Sequence, residues 1–394
     1  MAHTLSTGSG VVLGLIRSGL ATTRSGLIDQ LGWSRITLAR RLDELLLASI
    51  VVSVGQLDSR GGRPPEEFAV NPHAGLLFAV DIGGSHTRLA ITDLVSTILS
   101  EDEADIGLSE GPAKIFEWAG QVFDHMLDRL SKTRADVVGI GVGVPGPVDF
   151  VTGRLATGQV DAQWDGVLVK DYFAGRFDNA VFAVDRDVNI MALAEARRGW
   201  SEYRDVAVLK AGIGVGLAFV LDGSIYHGSR GGAGDLSPVR SGGARTERLE
   251  TSASGAVIRR ELQRRGYRVR TSNDIVGLAN QGDPEVRRLL SETGTAIGQS
   301  LAHVVGLLNP QAVVVGGNLA QAGEPFLGAI RDAIFAGARD FALQGLVVEK
   351  SRLGHIAGIT GASLIAQDAL FEADRISRLT RGALPGLSPL VPSI

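Results

Sequence analysis

The sequence predicts an α/β protein in which a small helical domain precedes two larger lobes. The texture of the chain changes near residues 55–75, where a polar, glycine-rich stretch ends a helical segment. From Leu76 onward, aliphatic strands alternate with amphipathic helices, which is typical of an α/β architecture. Glycine-rich turns follow strands at well-separated positions, and this indicates two similar halves around a cleft.

Composition limits the class of protein. The chain has 394 residues, of which 44% are hydrophobic and 21% charged, and its formal net charge is -4. This length and aliphatic content allow two or three domains with their own cores and exclude a disordered chain. Because there is no cysteine, disulfides, thiolate-ligated zinc and a cysteine nucleophile are excluded. The absence of cysteine favours a cytoplasmic protein. We expect no membrane span, since Arg17 and Asn309-Pro310 interrupt the apolar runs of the chain.

Residues 1–72 form the first predicted domain. Val11 to Leu20 predicts a first helix and Thr22 to Leu31 a second, after which Gly32 supplies a turn. Ser34 is the predicted cap of a third helix. The leucines of this helix recur on one face, and they are Leu38, Leu42, Leu45 and Leu46.

A two-stranded wing follows the third helix. The β-branched run Ile50 to Val54 and the strand Glu67 to Val70 enclose a glycine-rich loop. Helix, turn, capped helix and wing together outline a winged helix-turn-helix DNA-binding domain. The side chains predicted to contact DNA are Ser34, Arg35, Thr37, Arg40, Arg41 and Arg63. The alternative is an ordinary helical packing whose exposed arginines are merely solvated.

The next candidate site is the turn after the first strand of the α/β region. Leu76 to Val80 runs into Asp81-Ile82-Gly83-Gly84-Ser85, and Arg88 to Thr92 returns. Backbone amides at such a turn can hold phosphate oxygens, and Asp81 can hold the Mg²⁺ that accompanies them. A plain β-hairpin would show the same pattern.

Two further glycine turns lie in the second half of the chain, at Lys210 to Gly216 and at Gly316-Gly317. Another glycine-rich strand end contains G-x-G-x-x-G from Gly141 to Gly146. We exclude a dinucleotide-binding fold there, because Pro145 and Pro147 stand where a helix should begin.

Carboxylates cluster at the junction of a short strand and a helix, in Val184 to Asn189. A carboxylate there can accept the proton of a hydroxyl, which is the role of a general base in phosphoryl transfer. Asp185 and Asp187 could equally be helix-capping residues.

The ordered motifs resemble the ROK family (repressors, open reading frames and sugar kinases) over residues 10–372 or so. The motifs are Asp81 to Ser85 with Asp93, Gly141 to Pro147, Asp187 to Asn189 with Glu195, Gly212 to Gly216, Asp222-Gly223, Gly232 to Asp235, Glu250 to Gly255, and Pro310 to Gly317. The resemblance implies an actin-like ATPase fold, related to ribonuclease H, with lobes near residues 76–190 and 191–372. The N-terminal domain resembles the one found in the family's transcriptional repressors.

The resemblance also implies functional residues. Asp187 matches the general base of the family's sugar kinases. The residues that match nucleotide-binding surfaces are Asp81, Gly83, Gly84, Ser85, Gly212, Gly214, Gly316 and Gly317. The residues that match ligand contacts are Arg186, Asp187, Asp235 and Glu250.

Several positions depart from the family's kinases. Arg186 replaces the asparagine that holds a sugar hydroxyl, Lys210-Ala211-Gly212 replaces the second turn's Gly-Thr-Gly, and Asp235 shortens a glutamate. Pro238 replaces the histidine beside a structural zinc, and residues 241–248 lack the cysteines that would bind it. No structural zinc is therefore expected, and Mg-ATP stays open because Asp81 and Asp187 survive.

These departures favour a DNA-binding regulator, on balance a repressor, whose degenerate kinase domain senses a sugar or sugar phosphate and requires no cofactor. An active sugar kinase with a DNA-binding domain and a constitutive DNA-binding protein are the alternatives. Arg186 either tunes the pocket to an anionic ligand, fills it, or pairs with neighbouring carboxylates. We further expect a homodimer or homotetramer on a palindromic operator, and a loosely ordered tail over residues 380–394.

Overall fold

A computed structural model describes residues 8–56, 65–149, 152–156, 162–177, 179–236 and 249–380. The helices are α1 (Ser9–Arg17), α2 (Arg24–Leu31), α3 (Arg35–Leu47), α4 (Pro112–Arg129), α5 (Asp187–Ala194), α6 (Leu249–Ser252), α7 (Gly255–Arg264), α8 (Ser272–Asn280), α9 (Pro284–Leu308), α10 (Glu324–Gly337), α11 (Asp340–Leu343), α12 (Ala357–Leu370) and α13 (Ala373–Leu379). The strands are β1 (Val51–Gln56), β2 (Glu66–Val70), β3 (Leu76–Ile82), β4 (Thr87–Thr92), β5 (Ile98–Ala104), β6 (Val137–Val144), β7 (Val148–Asp149), β8 (Arg154–Leu155), β9 (Val181–Arg186), β10 (Val206–Ala211), β11 (Val215–Leu221), β12 (Ser224–Ile225), β13 (Ala312–Gly316) and β14 (Val347–Lys350).

The N-terminal domain has the predicted helix-turn-helix and wing. Gly32 ends α2 in the left-handed conformation, with φ of 65°, and the Ser34 hydroxyl accepts a hydrogen bond from the Thr37 amide to cap α3. The wing strands β1 and β2 pair antiparallel. The first helix ends at Arg17 rather than at the predicted Leu20, because Ser18 and Gly19 form a turn that closes it.

Each lobe is built on a five-stranded sheet, and the two sheets have the same strand order. The first sheet runs β5-β4-β3-β6-β9 and the second β12-β11-β10-β13-β14. In each, an antiparallel three-stranded meander is extended by two parallel strands on the side of its first strand. This repeated topology confirms the predicted two-lobed fold.

The glycines of β6 allow helices to lie directly on the first sheet. A Cβ added at Gly141 would overlap the carbonyl oxygen of Ala362 in α12, and one at Gly143 would overlap Ile190 in α5. Close helix–strand packing therefore accounts for this glycine-rich strand, in agreement with the exclusion of a dinucleotide-binding turn.

The packing of α12 links the two predicted lobes across the division at residues 190 and 191. Although α12 follows the second sheet in the chain, Ile359, Ala362 and Ile365 form one apolar cluster with Ala79 and Ala90 of the first sheet. The predicted second lobe, residues 191–372, thus returns its last long helix to the first lobe.

The DNA-binding domain shares its core with the rest of the chain. Leu13, Leu38 and Leu42 belong to a buried cluster that also contains Leu77 of β3 and Ile376 of α13. The predicted boundary at residue 72 is therefore a boundary in sequence and not in packing. A movement of the first lobe or of α13 must act directly on α1.

Candidate functional sites

Three consecutive residues at the β9–α5 junction bind the second lobe across the cleft. The Oδ2 atom of Asp185 lies 2.7 Å from Nε2 of His227. The Arg186 guanidinium donates to the Ala233 carbonyl at 2.6 Å. Asp187 Oδ2 lies 2.9 Å from the Lys210 ammonium. The predicted ligand-binding segment is thus the place where the lobes are joined.

Asp185 holds this junction in shape. Its buried carboxylate accepts hydrogen bonds from the Arg186 amide and from the Asn189 side chain, both at 2.7 Å. Asp185 consequently fixes the start of α5 and aims Arg186 and Asp187 at the second lobe. Neither Asp185 nor Asp187 caps α5 through its side chain in the usual way, since the N-cap is Arg186 and no side-chain cap hydrogen bond is present.

Arg186 fills space in the cleft. Only 8% of the residue is exposed, and its guanidinium is bound to the turn that contains Ala233. Of the three roles considered for Arg186, which are binding an anionic ligand, filling the pocket and pairing with carboxylates, this placement corresponds most closely to filling the pocket.

Lys210 is the cleft residue that sequence reasoning missed. Its ammonium lies between Asp187 and Asp81, 2.9 Å from an oxygen of the first and 3.6 Å from an oxygen of the second. Burial alone would lower the pKa of Lys210, but the attraction of Asp187 and then of Asp81 outweighs it, so the pKa is raised above its ordinary value. The sequence signal that could have revealed this contact is the lysine itself, which stands in a predicted strand just before a glycine turn.

The turn at residues 212–214 contacts both α7 and the first glycine turn. Ala211 is buried at the end of β10, and Ile213 stands at the tip of the turn, where it faces Gly84. The amides of Gly255 and Ala256 in α7 donate to the carbonyls of Gly212 and Ile213, both at 3.0 Å. An apolar side chain therefore separates the two glycine turns, and the first amides of α7 are already bound.

Hydrogen bonding or packing accounts for Gly83, Gly316 and Gly317. Gly83 closes the β3–β4 hairpin by donating to the His86 carbonyl at 2.8 Å, and Ser85 follows it in the same turn. Gly317 has φ of 82°, and a Cβ there would overlap the Ala211 carbonyl. A Cβ at Gly316 would overlap Met191. These glycines meet structural demands without any nucleotide.

The other predicted ligand residues are less enclosed or undescribed. Asp235 is exposed in the turn that follows β12. Arg63, residues 237–248, the side chain of Glu250 and residues 381–394 lie outside the described residues. Over the parts of the chain that the structure describes, no three His, Cys, Asp or Glu side chains converge as a metal site, and no helix is long and apolar enough to cross a membrane.

The exposed face of the DNA-binding domain is the start of α3. Arg35, Ile36 and Thr37 are exposed, and the Arg40 side chain is 72% exposed. The Ser34 hydroxyl caps the helix, as predicted, and the residue is exposed beside Arg35.

Arg41 differs from the prediction, since it turns inward. Its side chain is only 13% exposed and donates to both oxygens of Glu44, which also accepts a hydrogen bond from Ser9 of α1. Burial alone would raise the pKa of Glu44, but the hydrogen bonds from Ser9 and Arg41 hold it below its ordinary value. Arg41 therefore fixes α3 against α1 instead of facing solvent.

An ion-pair relay connects the DNA-binding domain to the lobes. Asp368 of α12 accepts from Arg17 of α1, and it forms a two-pronged pair with Arg197, which follows α5, at 2.9 Å on each side. Burial alone would raise the pKa of Asp368, but the two arginines hold it below its ordinary value, so the carboxylate is charged near neutral pH.

A cavity joins this relay to the cleft. It has a volume of about 380 Å³ and is lined by Asp185 and His227 at the lobe junction and by Arg197 and Asp368 of the relay. The Asp185–His227 contact at the lobe junction and the Arg197–Asp368 pair next to α1 therefore line the same cavity.

Comparison with known proteins agrees with this architecture. A model of the ROK family matches residues 77–369. A xylose repressor of Caldicellulosiruptor bescii is 24% identical to this chain, and the match covers 91% of this chain and 95% of the repressor. A glucokinase of Halalkalibacterium halodurans is 27% identical but covers only 73% of this chain, against 94% of its own.

Among solved structures, a ROK family transcriptional regulator, described as a homologue of the Escherichia coli Mlc protein, has a TM-score of 0.79 at 21% identity. That match covers 95% of this chain and 98% of the other. The likeness therefore extends over the N-terminal domain as well as both lobes.

Proposed function

Because the chain belongs to the ROK family, we propose that it is a sequence-specific DNA-binding transcriptional regulator, a repressor, whose kinase-like lobes sense a sugar-class effector. One observation carries this proposal: a helix-turn-helix with the two strands of a wing presents the start of α3 to solvent and shares its buried core with the lobes. A stand-alone kinase has no use for such a domain. The glucokinase match covers 73% of this chain, whereas the xylose repressor match covers 91%.

The cleft supports sensing better than catalysis. Phosphoryl transfer requires a free base, a divalent metal ion and a positioned nucleotide. Here Asp187 is bound by Lys210, and Ile213 occupies the space between the two glycine turns. The sugar kinase alternative is accordingly the weaker one, and Mg-ATP is not required by the proposal.

The regulator would act as a symmetric oligomer on a palindromic operator. Exposed apolar side chains on the second lobe are candidates for such an interface. Large exposed side chains on its adjoining helices α9, α10 and α11 are Leu307, Phe335 and Phe341.

Selection from a pool of genomic DNA fragments tests the function. We expect enrichment of fragments with two inverted half-sites at near-physiological salt, and one sugar or sugar phosphate in a panel should abolish or strengthen that enrichment. Tight binding of a neutral sugar without preference for its phosphate would rule out the hypothesis that Arg186 recognises an anionic ligand. No enrichment under any condition, together with turnover of ATP on a sugar, would replace the proposal with the kinase.

The relay predicts a variant that binds DNA but does not respond. Asp368→Asn keeps the size of the side chain and removes the charge that pairs with Arg17 and Arg197. Operator affinity without effector should stay within about threefold, whereas the change in affinity caused by effector should shrink by about 5-fold or more, the usual scale of allosteric coupling.

Fluorescence anisotropy titrations with and without effector measure both quantities. Asp332→Asn is the matched control, since Asp332 is an exposed carboxylate on α10 in the second lobe. An Asp368→Asn variant that keeps the full effector response would show that the relay does not transmit the signal.

A further inference from the structure

The cleft holds a cation that belongs to the chain itself. We propose that the Lys210 side chain replaces the divalent metal ion of the kinase scaffold: its ammonium holds Asp81 and Asp187 together, and the cleft is assembled without metal or nucleotide. This inference goes beyond the proposed DNA-binding function and does not depend on it. A chain with no operator could still have this feature.

The two carboxylates and the lysine come from different parts of the fold. Asp81 ends β3 of the first sheet and Asp187 begins α5, whereas Lys210 lies on β10, the central strand of the second sheet. The ammonium is 2.9 Å from Asp187 Oδ2 and 3.6 Å from Asp81 Oδ1. One side chain of the second lobe thus binds both carboxylates that the scaffold would offer to a metal.

The sheet register provides room for the lysine. Its partners on the two neighbouring strands are Gly216 and Gly316, which have no side chains. The aliphatic stem can therefore extend past the strand ends toward the first lobe without lateral crowding. The Lys210 side chain is 24% exposed, so its charge lies mostly away from solvent and acts strongly on its two partners.

A divalent ion does not fit the same oxygens while the lysine is there. Mg²⁺ requires oxygen ligands at about 2.0–2.1 Å in an octahedral arrangement and retains several waters. An ion between Asp81 and Asp187 would lie within a few ångströms of the ammonium, and their repulsion would be large in a partly buried site. Asp81 Oδ1 is buried and has no hydrogen-bond partner in the described part of the chain, and Lys210 is the cation that faces it.

The geometry has a consequence for both chemistry and sensing. Both oxygens of Asp187 are in contact, Oδ2 with the Lys210 ammonium and Oδ1 with the Val188 amide, so a substrate hydroxyl would have to displace one of these contacts to reach the carboxylate. The Lys210 contact also ties the second lobe to the first. A ligand that opens or closes the cleft must therefore change the Lys210 contacts. Because these contacts join the lobes without a metal ion, effector sensing does not require Mg²⁺.

Binding of Mn²⁺ to the full chain tests the proposal. Free Mn²⁺ gives an electron paramagnetic resonance signal that disappears on binding. Wild-type protein should leave this signal unchanged at concentrations where Lys210→Met binds one ion, and the variant should bind at least ~10-fold more tightly, because a cation no longer opposes the metal. Adding Asp81→Asn to Lys210→Met should reverse the gain.

Lys210→Arg is the matched control, since it keeps the positive charge and should bind no Mn²⁺. Stoichiometric Mn²⁺ binding by wild type that Asp81→Asn abolishes would overturn the proposal, and so would a folded Lys210→Met variant that gains no binding. If Lys210→Met does not fold, Lys210→Met/Asp187→Asn should fold, because the repulsion between the carboxylates is relieved. Failure of that double variant to fold would also count against the neutralising role of Lys210.

Discussion

Arg40→Ala should lower operator affinity by about 10- to 100-fold, the usual cost of losing one arginine that reads a base edge. Arg40 lies on the exposed face of α3, in the second turn of the helix, and its side chain is 72% exposed although it approaches Glu44 at 3.4 Å. A flexible, exposed guanidinium at this position can enter the major groove. Arg35→Ala, at the first position of the same helix, should have an effect of similar size.

The salt dependence of binding distinguishes the two ways in which an arginine can contact DNA. Loss of a phosphate contact weakens binding to all sequences and reduces the slope of log K against log salt by about one. Loss of a base contact relaxes the preference for one base pair and leaves the slope nearly unchanged. Anisotropy titrations with operator and mutated operator at several salt concentrations separate these outcomes.

Arg264→Ala is the control for nonspecific charge, because Arg264 is a 70% exposed arginine on α7 of the second lobe. It should leave operator affinity unchanged. If Arg35→Ala and Arg40→Ala both behave like Arg264→Ala at the same salt concentration, the start of α3 is not the DNA-reading surface.

Local signals explain why so much of the N-terminal domain could be predicted. Ser34 caps a helix through a hydrogen bond to a residue three positions away, and Gly32 adopts a conformation that glycine favours intrinsically. Leu38, Leu42 and Leu45 recur at helical spacing and are all buried. Each of these features depends on neighbours in sequence, which a single chain displays.

The cleft could be predicted only in part, because its contacts join distant segments. The pattern around Asp187 located the lobe junction, but the partners of Asp185 and Asp187 are His227, which follows β12, and Lys210 of β10. The inward turn of Arg41 likewise depends on Ser9 and Glu44, and these come together only when α1 packs on α3. Residue type alone could not distinguish a DNA contact from this structural pair.

The return of α12 to the first lobe leads to the second large expected effect. Gly361→Ala should lower the free energy of unfolding by about 1–3 kcal/mol or more, the range for adding a methyl group to a filled core. A Cβ at Gly361 would overlap the backbone of Ile190 in α5, and backbone atoms cannot move aside as a side-chain end can. The helix would gain up to about 1 kcal/mol from replacing glycine by alanine, so the overlap must exceed that gain for the net effect to be destabilising.

Gly277→Ala provides the matched comparison, because Gly277 also lies within a helix, α8, and nothing lies within 4 Å of an added Cβ. This variant should be neutral or more stable by up to about 1 kcal/mol. Urea unfolding followed by circular dichroism gives both values. Equal midpoints for the two variants would show that α12 and α5 do not cross as closely as the structure describes.

The position of Gly361 also predicts an effect of the substitution on function. α12 also carries Asp368, which binds Arg17 of the DNA-binding domain, so a displaced α12 changes the support of α1. We therefore expect Gly361→Ala to alter the response to effector more than it alters the intrinsic contacts of α3 with DNA. Anisotropy titrations below the unfolding transition should show a smaller effector-induced change in affinity for Gly361→Ala and an unchanged one for Gly277→Ala, since α12 lies between the cleft and the DNA-binding domain and α8 does not.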